Sequence, residues 1–341
     1  MHLRPLLIAA AFLAVAAPAH ADTPEQFYKG RTITLVTPFG AGGTYDLYSR
    51  AISQHMERHI PGKPNIVVQD MAGAGGIRAS NYMFTVAPKD GSYIWMPPDT
   101  MVISQLLEPD KVKYKSEEFT WLGTSVVVNS VIAVRKDAPA KTLAELKTKE
   151  VVLGSTGKGS QTFYMPQLMN DLFGTKFKIV MGYKSSGDAM LAIERNEVQG
   201  ISLAWGSWLS LRGEWVKSGY AVPLFQFGLR KEPDLPDVPL AIDLATTPED
   251  KQICAFISSG SPIGRSLALP PGVPKDRIDA LIAAFETTMK DPAFVADAKT
   301  RQMTLDPASA AEVQKAVTDI MKMSPETLKK ARESILGEKQ G

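Results

Sequence analysis

Thr37-Pro38-Phe39-Gly40-Ala41-Gly42-Gly43-Thr44-Tyr45-Asp46 follows the strand-like run Ile33-Thr34-Leu35-Val36 and leads into a helical pattern. Glycines between a strand and a helix let consecutive backbone N–H groups point the same way, and at a helix start those donors add to the positive end of the dipole. Such a loop grips an anion without Arg or Lys; the plainer alternative is a tight turn. The device recurs, because Ile66-Val67-Val68 precedes Gly73-Ala74-Gly75-Gly76 and a helical pattern from Ile77 to Ala87. Adjacent parallel strands bring two such loops to the same end of a sheet.

Outward from there, a helix is expected from Asp46 to about Arg58, with Leu47, Tyr48, Ala51, Ile52 and Met56 as its apolar stripe. Asp46 lies in the first turn, where the dipole favours a carboxylate, and is expected to brace the loop while the loop amides serve the ligand. Ala87-Pro88-Lys89-Asp90-Gly91 stops the second helix, and Tyr93-Ile94-Trp95-Met96 reads as a third strand. Strand, helix, strand, helix, strand indicates a parallel sheet with helical crossovers. The β-branched stretch from Trp121 to Val134 is long for one strand and suits a passage between domains. Thr142-Leu143-Ala144-Glu145 is a capping box.

Val151-Val152-Leu153 runs into a third small-residue loop, Gly154-Ser155-Thr156-Gly157-Lys158-Gly159-Ser160, which lacks the Lys and hydroxyl residue of a Walker loop. Lys178-Ile179-Val180-Met181 runs into a fourth, Gly182-Tyr183-Lys184-Ser185-Ser186-Gly187. Trp205 and Trp208, near the end of the strand Gln199 to Leu203, either wall an apolar pocket or cover the core. Phe256 to Leu269 is read as the return crossing. Ile278, Leu281, Ile282, Phe285 and Met289 lie on one helical face that Asp291-Pro292 ends, a packing element.

The chain of 341 residues opens with Met1-His2-Leu3-Arg4, an apolar run from Leu6 to Ala17 and Pro18-Ala19-His20-Ala21, the pattern of a secretory signal cut after Ala21. The expected product is a free, soluble periplasmic protein, not embedded in the membrane, of about 320 residues, long enough for two domains. A formal net charge of +2, which falls to about +1 without Arg4, argues against nucleic acid or an anionic membrane as partner. The single cysteine, Cys254, excludes an internal disulfide and reads as a buried thiol. No cofactor and no metal are expected. His55 and His59 have the i, i+4 spacing of metal ligands, but Met56 stands where the metalloprotease pattern has Glu, and no Gly-x-Ser-x-Gly elbow occurs.

With the loops laid out, the chain resembles the periplasmic substrate-binding receptors of tripartite tricarboxylate transporters, also called Bug proteins, from Ile33 to about Pro292. The resemblance rests on Thr37 to Gly43 with Asp46 and Arg50, on Gly73 to Gly76 with Ala87 to Gly91, on Gly154 to Gly157 with Gly159-Ser160, and on Tyr183-Lys184 with Asp188. Leu269-Pro270-Pro271-Gly272-Val273-Pro274 matches the segment before the family's C-terminal helices. It implies an α/β, two-domain periplasmic binding protein of type II-like build, each domain a mainly parallel sheet flanked by helices, joined by two crossing strands. Residues 22–124 with 254–341 would form the first domain and 125–253 the second.

The resemblance further implies that a small organic carboxylate is held in the interdomain cleft. Loop one (Phe39, Gly40, Ala41, Gly42, Gly43, Thr44 and Tyr45) and loop two (Ala74, Gly75 and Gly76) would take one carboxylate. Ser155, Thr156, Gly159, Ser160 and Thr162 of loop three, Tyr183 and Lys184 of loop four, and Trp205 would close over the other end. Thr44-Tyr45, Met71-Ala72, Ile77-Arg78 and Trp205 depart from the family's usual residues and bear on ligand choice. The implied partners are integral-membrane transporter subunits, and a cleft-closing receptor is expected to act as a monomer. The alternatives are a secreted hydrolytic or metal-assisted enzyme, a nucleotide or phosphate binder, although loop one lacks the third glycine of Rossmann spacing, and a carboxylate sensor feeding a signalling system.

Overall fold

The structure, a computed structural model, describes residues 22–337; the expected signal segment 1–21, with its cleavage after Ala21, lies outside the described residues. One sheet takes β1 (Thr32–Thr37), β2 (Asn65–Asp70), β3 (Tyr93–Trp95), β4 (Thr120–Thr124), β10 (Ser266–Leu269) and β11 (Ala308–Ser309). The other takes β5 (Ser130–Arg135), β6 (Val151–Ser155), β7 (Phe177–Met181), β8 (Gly200–Ala204) and β9 (Ala221–Phe227).

The orders are β2-β1-β3-β10-β4-β11 and β7-β6-β8-β5-β9, and the two halves share one plan. Second strand, first and third lie side by side, then comes the strand arriving from the other half, then the fourth. Helical crossovers make β1 parallel to β2 and β3, and β6 parallel to β7 and β8. The arriving strands β10 and β5 have no such crossover and are inserted antiparallel to both neighbours, so each expected mainly parallel sheet is mixed.

Local signals set the loops' supports. The helix Thr44–Met56 starts two residues before the expected position because Gly43 takes the extended N-cap conformation, and Tyr48, Ala51, Ile52 and Met56 are buried beneath it. Capping boxes open the helices Leu143–Leu146 (Thr142 with Glu145) and Ser186–Glu194 (Ser185 with Asp188). Leu281, Phe285 and Met289 bury one face of the helix Lys275–Lys290, and Asp291 then caps the helix Pro292–Thr300.

The outward crossing from β4 to β5 lies within Trp121 to Val134. The return differs from its expected start, because Phe256 is buried inside the helix Pro248–Ser258. Thr247 accepts from Asp250 N there, Pro248 follows and two acids occupy the first turn, a start signal that outweighs any extended tendency. The two crossings meet side by side: Ser125 N donates to Arg265 O at 3.1 Å and Val128 N to Ser261 O at 3.1 Å.

One apolar cluster joins both sheets, with Trp95 and Trp121 from the first half and Ile132, Leu153 and Phe225 from the second. The helix Pro325–Leu336 packs on the helices Gln161–Phe173, Pro248–Ser258 and Met101–Leu107 and so contributes to both sides. Cys254 is buried in this cluster, and burial pushes its thiol up to about 12. Among the described residues no helix is long and apolar enough to cross a membrane. Sheet membership is the basis on which the division into 22–124 plus 254–341 and 125–253 is proposed.

Candidate functional site

The strand exits that were expected to form four loops face one another across the two halves. Loop one meets loop four: Gly40 N donates to Lys184 O at 2.8 Å and Thr44 N to Ser186 Oγ at 3.3 Å. Asp46 Oδ2 accepts from Gly42 N at 3.0 Å, and Arg50 Nε stands 2.6 Å from its Oδ1. Three amides expected to serve a ligand are therefore bonded within the protein in this closed arrangement.

Loop two meets loop three through backbone alone. Gly75 has a φ of +65°, and a Cβ there would lie 2.5 Å from Gly159 C and Ser160 N. Thr100 Oγ1 donates to Gly159 O at 2.5 Å. The hydroxyls of loop three converge on Thr162 Oγ1, which lies 2.9 Å from Ser155 Oγ and accepts from Thr156 N at 2.9 Å; Ser160 Oγ also bonds it.

At the centre is Arg265, 2% exposed, whose backbone belongs to the paired crossings. Its Nη2 donates to Thr44 Oγ1 at 3.1 Å and to Ser207 Oγ at 3.3 Å, and these hydroxyls, one from each half, lie 2.9 Å apart. Its Nη1 donates to Gly264 O, and its buried Nε has no partner. The guanidinium stands 4.0 Å from the Tyr45 ring centroid and 5.4 Å from that of Tyr48. Among the described residues no carboxylate oxygen lies within 4.0 Å of it. A buried charge with no carboxylate in contact costs on the order of several kcal/mol, only part of which the hydroxyls, the π-face and the field of Asp99 offset.

Tyr45 is held in turn. Its ring leans on Phe39 with centroids 4.8 Å apart, and its OH accepts from Asp99 N at 3.0 Å. Burial raises the Tyr45 hydroxyl well above its usual range. Burial also raises the Asp99 carboxyl to about 6, against the opposing pull of Arg265.

Two cavities share Arg265 as a wall. The smaller, about 20 Å³, is lined by the expected Phe39, Gly43, Thr44, Tyr45, Thr156, Ser160 and Thr162 together with Asp99, Gln161, Ser186 and Leu203. The larger, about 570 Å³, lies toward the crossings and includes the expected Trp205. Ala41, Gly42 and Ala74 are exposed at the rim, Gly40 is half-buried, and Gly76 is buried behind the loop. Tyr183 packs toward Gly154 and the Lys184 side chain is exposed, so loop four meets loop one through a carbonyl and Ser186. Trp208 is fully buried and donates to Val131 O at 3.4 Å, so it covers the core.

Sequence reasoning missed Arg265, Asp99 and Ser207. The available signal was that Arg265 carries the only charge between Cys254 and Leu269. His55 and His59 face Asp297 and Asp291 separately, at 3.0 and 2.8 Å, and pin the first helix to the Pro292–Thr300 helix. Among the described residues no group of three or more His, Cys, Asp or Glu is placed to hold a metal.

A family model described as tripartite tricarboxylate transporter family receptor matches residues 49–335. A UPF0065 protein of Bordetella pertussis is 24% identical over 84% of this chain and 83% of its own. A match to another, from Agrobacterium vitis, spans about half of that relative's length, 49%. Among solved structures, the periplasmic binding protein BugD shares the fold with a TM-score of 0.70 at 20% identity, covering 90% of this chain and 98% of that one. MatC from Rhodopseudomonas palustris, solved with bound malate, gives 0.69 at 22% identity over 90% and 99%.

Proposed function

The chain belongs to the tripartite tricarboxylate transporter receptor family, whose members are substrate-binding receptors and not enzymes, and on that footing we propose that it captures a small organic carboxylate between its two halves. It works in the periplasm and delivers its ligand to the integral-membrane subunits of a tripartite tricarboxylate-type transporter. The observation that carries this reading is Arg265, a buried cation without a carboxylate partner where both halves meet. A ligand carboxylate supplies the missing charge, and its contacts to both halves favour the closed arrangement over an open one. The proposed binding set is Arg265 with Ser207; Thr44 and Tyr45 hold the guanidinium in place, and Asp46 supports loop one. Malate in MatC is a precedent for a carboxylate ligand on this fold.

Calorimetry of verified ligand-free protein against mono-, di- and aromatic carboxylates, with phosphate as control, tests the reading. Saturable heat with carboxylates alone is expected; silence across the panel, or binding of phosphate instead, overturns it.

A further inference from the structure

We infer that the ligand's body lies in the larger cavity beside the crossings, and that the ligand is a bulky monocarboxylate carrying a hydrogen-bond acceptor rather than a short dicarboxylate. This rests on the receptor reading above and specifies its substrate class.

The space under the four loops, about 20 Å³, is about enough for one water. Packed side chains, Phe39, Tyr45, Gln161 and Leu203 among them, leave it that small, and the loops around it are closed where backbone meets backbone at Gly75 and Gly159. The cavity on the other side of Arg265, about 570 Å³, is in the range that encloses ligands of drug-like size, about 300–1,000 Å³.

The chemistry of its wall matches that volume. Arg265 stands in its wall, with an Nε that is buried and has no partner within the protein. Val126, Val128 and Leu209 supply apolar surface. Trp205, 4% exposed, adds its ring and an indole Nε1 that is buried without an acceptor, suiting a ligand hydroxyl or carbonyl oxygen. Glu232, Asp234 and Asp306 line it together with Arg230 and Lys231; Arg230 pairs with Asp306, Lys231 Nζ donates to Pro236 O at 2.8 Å, and burial holds the Glu232 carboxyl above its usual range. Beyond Arg265 the wall thus offers acids and cations that already have partners, which disfavours a diacid spanning the cavity. At the mouth, Arg230 and Asp306 approach to 3.5 Å from opposite halves while remaining 81% and 56% exposed, a contact weak enough to part for entry.

The test compares 4-hydroxycinnamate, phenylacetate and octanoate with succinate, malate and adipate by calorimetry and by tryptophan fluorescence. Wild type is expected to bind 4-hydroxycinnamate at least tenfold more tightly than any of the three diacids and to change its emission on binding. Trp205→Phe should lose most of that emission change and about tenfold in affinity. Leu229→Trp, at a 65% exposed position on the cavity mouth, should weaken the bulky acids, and melting curves verify that both variants fold. Tight binding of a diacid that neither variant alters would overturn the inference and leave the receptor reading standing. Silence from all six acids would overturn both.

Discussion

The guanidinium of Arg265 lies 4.0 Å from the centroid of the Tyr45 ring, although 220 residues separate the two in sequence, and Asp99 N holds that ring by donating to its hydroxyl. Tyr45 thus forms the shelf on which the site's buried cation rests. The shelf and the cation act together.

Replacing Arg265 by Met keeps the volume and removes the charge. Loss of a charge-assisted bond worth about 1.5–3 kcal/mol should weaken carboxylate binding roughly 10- to 100-fold. The melting temperature of the ligand-free protein should stay or rise, because an uncompensated buried charge is removed. A variant that binds like wild type would show that Arg265 serves the fold alone.

Asp99 gives the site a pH dependence. Its folded-state value is raised from 3.8 to about 6, so its contribution favours folding below 3.8 and is lost as pH rises through about 6. Ionised Asp99 also competes with a ligand carboxylate for the field of Arg265. Ligand affinity should therefore fall as pH rises from 5 to 7, and Asp99→Asn should flatten both profiles, as read by chemical denaturation and calorimetry.

Gly75→Ala places a Cβ 2.5 Å from the backbone of loop three, whereas Gly42→Ala, at a φ of +78°, meets nothing within 4 Å. Both carry left-handed strain of about 1 kcal/mol, but the first should also wedge the halves apart. Small-angle scattering should report a larger radius of gyration, with weakened binding, for Gly75→Ala alone. Equal behaviour of the two would mean that the halves do not close through these loops.

Tyr164 crosses between halves: its OH donates to Glu108 Oε1 at 3.1 Å and lies 3.0 Å from Ser104 Oγ. Tyr164→Phe leaves the 5% exposed Glu108 with one buried partner fewer, so about 1–3 kcal/mol of stability should be lost in a denaturant titration. No change in midpoint would mean that water replaces the bond.

The strand exits were legible in the sequence because each announces itself locally, through glycines or other small residues after an apolar, β-branched run. Asp46 was legible for the same reason, since its partner Gly42 is four residues away. Arg265 was not, because its meaning lies in Thr44, 221 residues distant, and in Ser207, 58 away. A single Arg in an apolar crossing segment is informative only once the loops that enclose it are placed. The antiparallel insertion of β10 and β5 was hidden for a related reason: strand direction is set by which half the chain arrives from, and periodicity carries no such information.

The apolar cluster that runs from one sheet into the other, sealed by the helix Pro325–Leu336, makes the molecule two by topology and one by thermodynamics. Each half also keeps an apolar cluster of its own, around Ile33, Ile52 and Phe285 in the first and Val131, Ile193 and Trp208 in the second, but the shared cluster couples them, so heating should produce a single calorimetric peak with matching van't Hoff and calorimetric enthalpies. The same shared interior should resist parting, so that on ligand release the rim of the cleft separates while its floor stays shut.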